Sequence, residues 1–203
     1  MGTILVVHDE LNSLELPVFK KDDGSKPELR YFPLSGLKSV VIGTNSFSSR
    51  NGDLYVKNCP LLHELKISSN AMSVFKLFEI ENVPLLESLE IGDGCLKNVE
   101  VFNVTALNGL SKVVVGSNSF ANRDCAVFIT SVPVLREITV GNHSFAFCHT
   151  IAFHDSPMLE VFTVGDYSFG TASLELSSMV SMCNMIRRSP EHEENHSWKR
   201  VIP

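Results

Sequence analysis

The sequence predicts a mainly β solenoid of about seven stacked coils with little helix, and three observations carry that prediction. First, seven blocks open on a leucine: LNSLEL from Leu11, LKSVVIGTNSF from Leu37, LHELKISSNAM from Leu62, LESLEIGDGCL from Leu86, LSKVVVGSNSF from Leu110, LREITVGNHSF from Leu135 and LEVFTVGDYSF from Leu159. Their starts lie 26, 25, 24, 24, 25 and 24 residues apart, and a period of this size marks a repeat architecture. Second, block positions four and six are apolar, as Val40 with Ile42 or Ile138 with Val140, the step of two that one face of a short strand requires. Third, Gly43, Gly92, Gly116, Gly141 and Gly165 follow at position seven among dense Val, Ile and Thr, so each block reads as a strand ending in a turn and not as a helix. One coil cannot bury its apolar face alone; stacking makes the core.

Taken in order, residues 1–10 read as a partial N-terminal coil, with Thr3 and Leu5 where the second apolar pair of a preceding coil should lie. A chain that starts in mid-repeat exposes a stacking end, which predicts a fragment of a longer array, a capping partner or end-to-end stacking. Residues 11–178 form the solenoid proper. After each strand, position ten is small (Ser46, Ala71, Cys95, Ser119, Ser144, Ser168) and position eleven large (Phe47, Met72, Leu96, Phe120, Phe145, Phe169), a tight corner beside a core-filling side chain. A second apolar pair precedes each new block: Leu54 with Val56, Phe78 with Ile80, Phe102 with Val104, Val127 with Ile129, Ile151 with Phe153. Pro60, Pro84, Pro133 and Pro157 then fall two residues before the next start, so this second segment is short, extended and closed by a loop. Beyond Leu176 the spacing is lost, and 179–203 reads as a poorly ordered non-repeat tail.

The pattern LxxLxLxxNxL, matched by Leu37 to Phe47, Leu62 to Met72 and Leu110 to Phe120, resembles the leucine-rich repeat. The strings IGTNSF, VGSNSF, VGNHSF and VGDYSF also resemble the IGxxAF element of BspA-like repeats of microbial surface proteins. The resemblance implies a leucine-rich-repeat solenoid in which Asn45, Asn70 and Asn118 are buried at the turn and bond the backbone of neighbouring coils in a ladder. Gly94, His143 and Tyr167 stand at that position elsewhere, so the implied ladder is interrupted. The resemblance further implies that the x positions of LxxLxL form the partner-binding face, and it is specific for fold far more than for function.

Composition narrows the function classes. The 203 residues are 44% apolar and 20% charged with a net charge of -6, enough to fold and without the Lys/Arg excess of a nucleic-acid binder. No apolar run reaches the roughly 18 residues of a spanning helix, and the start does not read as a signal peptide, which favours a cytoplasmic chain without membrane insertion. Cys59, Cys95, Cys125, Cys148 and Cys183 form no CxxC, and no two of the four repeat cysteines share a block position. Buried free thiols are therefore expected over a disulfide frame.

Residues at one repeat position lie about 4.8 Å apart in adjacent coils. This pairs His63 with Glu87, Arg136 with Glu160, Lys66 with Glu90 and Lys112 with Glu137, which set register rather than await a ligand. Asp93 and Asp166 share a position three coils apart, about 14 Å at that spacing, too far for a glycosidase carboxylate pair at roughly 5–9.5 Å. His149 with His154, and His192 with His196, lack a third metal ligand. No cofactor and no catalysis is expected. What remains is surface: a protein partner is expected on the later coils, around Val114, Thr139, Val161 and Thr163 with Arg136 and Glu137 beside them, on a recognition or scaffold module. The alternatives are a structural or adhesive surface array and, last, a carbohydrate-active β-helix. Tyr55 and Phe128 are expected to face outward from the second segment, and Asn103, Asn142 and Asn195 open glycosylation triplets that matter only in an exported chain.

Overall fold

A computed structural model of the chain describes residues 3–7, 37–49, 52–57, 59–170, 173–177 and 186–188. Alternation of two, interrupted every few residues by turn formers, produces short strands and, among the described residues, no helix. They are β1 Thr3–Val7, β2 Leu37–Ile42, β3 Asp53–Lys57, β4 Glu64–Ile67, β5 Leu77–Glu81, β6 Ser88–Ile91, β7 Val101–Thr105, β8 Lys112–Val115, β9 Ala126–Thr130, β10 Glu137–Val140, β11 Thr150–His154, β12 Val161–Val164, β13 Ser173–Ser177 and β14 Ile186–Arg188. All pair in parallel, in two sheets: β1-β2-β4-β6-β8-β10-β12-β14, and β13-β11-β9-β7-β5-β3. The chain is a β-solenoid in which each coil adds one strand to either sheet.

The core lies between the sheets as stacked rows. Leu62, Leu86, Leu110, Leu135 and Leu159 form one, and Ile67, Ile91, Val115, Val140 and Val164 another, all buried. The second-segment pairs predicted from spacing fall in β3, β5, β7, β9 and β11 as expected. At position eleven, Phe120 stacks on Phe145 with ring centres 4.5 Å apart, and Phe145 on Phe169 at 5.3 Å. These residues have φ of 54°, 53° and 56°, a left-handed conformation that costs a non-glycine residue about 1–2 kcal/mol. Burying a whole side chain contributes about 1.5–3 kcal/mol, and a stacked aromatic pair about 0.5–1.5 kcal/mol more, so burial wins. The prolines sit at the first central position of β-turns closed by bonds such as Leu62 N–H to the Cys59 carbonyl, 3.3 Å, and Leu86 N–H to that of Val83, 3.2 Å. Glycine at position seven is required by close approach: a Cβ on Gly92 would stand 2.8 Å from the Ser69 nitrogen, and one on Gly141 2.6 Å from that of Ser117.

Several expectations are corrected. The six strands of the second sheet span about five turns, fewer than the seven coils expected. Strand β1 pairs directly with β2, from Thr3 with Leu37 to Val7 with Ile42. Thr3 and Leu5 therefore belong to the first sheet and not to a second apolar pair. Residues 8–36 lie outside the described residues. At the far end, β14 continues the first sheet, with Phe162 opposite Ile186 and Val164 opposite Arg188. The repeat spacing thus persists into the segment read as a tail; Arg187 and Arg188 disguise it by occupying positions that are apolar or neutral in the coil before.

The ladder is carried by serine, not asparagine. Asn70 and Asn118 are exposed and Asn45 half-buried, with φ of 57°, 57° and 58°, and Gly94, His143 and Tyr167 adopt the same conformation at 68°, 57° and 58°. Asparagine tolerates that region better than most residues, which explains its recurrence without a buried role, and the turn continues unchanged through His143 and Tyr167. The next residue, at position ten, closes the ladder. Ser119 Oγ accepts from Cys95 N–H at 3.1 Å and donates to the Gly92 carbonyl at 2.9 Å; Ser144 Oγ accepts from Ser119 N–H at 3.1 Å and donates to Gly116 at 2.6 Å. Ser168 Oγ repeats the pair with Ser144 N–H at 3.0 Å and Gly141 at 2.7 Å. A hydroxyl is small enough to be buried there and is both donor and acceptor.

Cys125 and Cys148 are not free thiols: they form a disulfide between consecutive coils, both fully buried, with Cα atoms 4.3 Å apart. The corner from β8 to β9 is one residue longer than those from β6 to β7 and from β10 to β11. That extra residue removes one of the two positions by which the cysteines differ in the block count: Cys125 falls level with His149, whose N–H donates to its carbonyl at 3.0 Å, and the disulfide runs to Cys148, the residue before. Cys59 and Cys95 are buried free thiols as expected, and burial pushes that of Cys95 up to about 11.

Candidate functional site

From β2 to β12, the strands of the first sheet turn alternate residues inward, leaving two outward rows. One runs Ser39, Glu64, Ser88, Lys112, Glu137, Val161, and the other Val41, Lys66, Glu90, Val114, Thr139, Thr163, each residue paired in register with the next. Parallel stacking brings Val114, Thr139 and Thr163 side by side, spanning about 9.6 Å over two strand spacings. Val161 lies opposite Glu137 in the other row and is 44% exposed.

The surrounding charges are taken up by one another. All four pairs expected from repeat position are present: His63 Nδ1 to Glu87 at 2.9 Å, Lys66 Nζ to Glu90 at 2.9 Å, Lys112 Nζ to Glu137 at 3.2 Å, and Arg136 to Glu160. Glu137 also accepts from the Thr139 hydroxyl at 3.3 Å, so it faces the patch with its charge matched. Arg136 stands on the flanking row beside the patch, engaged with Glu160. The Glu90 bond and charge hold the Lys66 ammonium above its ordinary value.

The second sheet brings fewer expected residues together. Tyr55, Glu79, Asn103, Phe128, Ala152 and Glu175 form its central row in register, with Ala152 buried among them. Tyr55 and Phe128 are thus three strands apart, roughly 14 Å, and make no joint aromatic site. Lys57 lies 5.5 Å from the Tyr55 ring and pairs with Glu79 and Glu81, both at 3.0 Å. Burial, with Asp53 and Glu79 nearby, raises the Tyr55 hydroxyl pKa. His149 precedes β11 and His154 ends it, and among the described residues no three His, Cys, Asp or Glu side chains gather as a possible metal site. His192 and His196 lie outside the described residues. The Asp93 carboxylate accepts from Ser117 N–H at 2.6 Å, holding the corner of the next coil.

Sequence reasoning missed three exposed apolar residues at the turns before Leu62, Leu86 and Leu159, namely Leu61, Leu85 and Met158 at 38%, 40% and 40% exposure. Their signal was available, since each follows a proline of the repeat. No family model, curated protein or solved structure matches the chain. The face is accordingly described by its own chemistry: a flat, uncharged strip of β-branched side chains on a rigid parallel sheet, rimmed by neutralised ion pairs. Such a strip can lose its water without stranding a charge.

Proposed function

We propose that this chain is a non-catalytic recognition or scaffold module, of leucine-rich-repeat type with BspA-like features, that binds a protein partner on the later coils of its first sheet. The observation that carries the reading is the change along one outward row, from the salt-bridged Lys66 and Glu90 to the uncharged, adjacent Val114, Thr139 and Thr163. An apolar centre within a polar rim is the anatomy of a protein interface, and stacked repeats offer extended surfaces for such contacts. Val161 and Thr163 supply the partner's apolar contact, and Glu137 and Arg136 form the rim. The binding needs no cofactor, nucleic acid or bilayer.

A structural or adhesive surface array is the second reading, favoured by the Cys125–Cys148 disulfide. Affinity capture from the chain's own cell extract separates the two. The double variant Val114→Lys, Thr139→Lys is expected to lose the captured protein while keeping the parent's circular dichroism and melting temperature, because both side chains point outward. Unchanged capture by the folded variant refutes the assignment of this face.

A further inference from the structure

We propose that Asn142 is an N-glycosylation site and that the chain matures in an oxidising, secretory-type compartment. Two independent observations point there. The first is the disulfide: Cys125 and Cys148 are buried in successive coils and bonded to each other, and such bonds form and persist where thiols are oxidised. Closing it transfers two electrons to a disulfide-bearing oxidant and releases two thiol protons. The second is the acceptor triplet Asn142, His143, Ser144. It falls on an exposed corner of the solenoid, between β10 and β11.

The geometry of that corner selects Asn142 over the other described triplet. Asn142 Oδ1 accepts from Asp166 N–H of the next coil at 2.9 Å, and Gly165, lacking a Cβ, makes room for this amide oxygen. With the oxygen turned inward, Nδ2 is left without a hydrogen-bond partner among the described residues, on an exposed side chain. At Asn103 the arrangement is opposite: the residue is half-buried within β7, and its Nδ2 donates to Glu79 Oε1 at 3.2 Å. A substituent on Asn142 therefore projects from a corner that is already complete, whereas one on Asn103 disturbs a polar contact on the second sheet. The Ser144 hydroxyl is buried in the serine ladder, so transfer precedes closure of the corner. The donor is a polyprenyl-diphosphate oligosaccharide. Its bond between the anomeric carbon and the diphosphate oxygen breaks, the carbon bonds Nδ2, one Nδ2 proton is lost, and the polyprenyl diphosphate leaves.

The test uses the full chain recovered from its own cells, wild type and Asn142→Asp. Aspartate keeps the acceptor oxygen, as Asp93 does at the same repeat position with Ser117 N–H, so the corner closes in both. Wild type is expected to carry a mass surplus that a peptide N-glycosidase removes, converting residue 142 to aspartate, and a non-reduced digest is expected to contain a linked 125–148 peptide. The surplus at residue 142 should vanish in the variant. An unmodified Asn142 in the wild-type chain overturns the site. Free thiols at both Cys125 and Cys148 overturn the compartment on which it depends.

Discussion

The two halves of the solenoid are held in register by different means. In the early half, through the coils starting at Leu37, Leu62 and Leu86, charge lines the outside: Lys57 with Glu79 and Glu81, His63 with Glu87, Lys66 with Glu90, Lys76 with Glu100. Its corner has only one serine at the ladder position, Ser46, followed by Ala71 and by Cys95, whose thiol donates to the Ser68 carbonyl at 3.0 Å, with Met72 and Leu96 beside the last two. Facing Ala71, the Ser46 N–H turns back to the Gly43 carbonyl at 3.3 Å, and facing Cys95, that of Ala71 turns to Ser68 at 3.3 Å. The late half is secured from within, by the Ser119, Ser144 and Ser168 ladder, the Phe120, Phe145 and Phe169 stack and the disulfide. Only Lys112 with Glu137 and Arg136 with Glu160 pair across its described outer surface. A coil whose corner fixes its register does not need charges on its sheet to do so, and this leaves Val114, Thr139 and Thr163 available for another surface.

Reduction of the disulfide is the largest expected perturbation of that contrast. Its cysteines are 23 residues apart, and in the chain-entropy account closing such a loop contributes roughly 3 kcal/mol. Denaturation with and without reductant should show that loss, with hydrogen exchange rising chiefly between residues 110 and 170; an equal rise in both halves removes the distinction. Ser144→Ala comes next. It strands the buried Ser119 N–H and deprives the Gly116 carbonyl of its hydroxyl partner, at a cost of about 1–3 kcal/mol, measured by urea denaturation. A loss below about 0.5 kcal/mol, the scale of surface substitutions, makes the ladder incidental.

Removing the Lys66 cation as Lys66→Met has the smallest effect, about 0.2–1 kcal/mol for an exposed pair. Its sign against pH is definite. The hydrogen bond to Glu90 raises the folded lysine above 10.5, so the contribution is full below that value and lost as pH rises through the raised one. Stability curves of parent and variant should converge above pH 10.5 if the early half is held as described.

Much of the coil was legible from residues alone. Strand positions, inward rows and all four expected ion pairs followed from alternation and a 24-residue step, because parallel stacking places equal positions one above another. The register of the candidate face was legible in the same way, as was the engagement of Arg136 with Glu160 beside it. The ladder was misread because asparagine and serine are neighbours in the same corner, and spacing does not tell which side chain is buried. Side-chain burial in the fold does: the asparagine position points out, and the serine after it points in.

Counting from each leucine concealed the disulfide, since one inserted residue in the Leu110 coil shifts Cys125 relative to the count and the bond then runs to the residue before its register partner His149. It likewise hid β1 and β14, whose places depend on which strand edge is free. The sequence by itself determined the period and the two faces of each strand, because these follow from local alternation repeated at constant length. The tertiary structure alone decided which polar groups close the corners, which cysteines meet and where the first and last strands dock. Those outcomes depend on distances between coils that an insertion of one residue is enough to change.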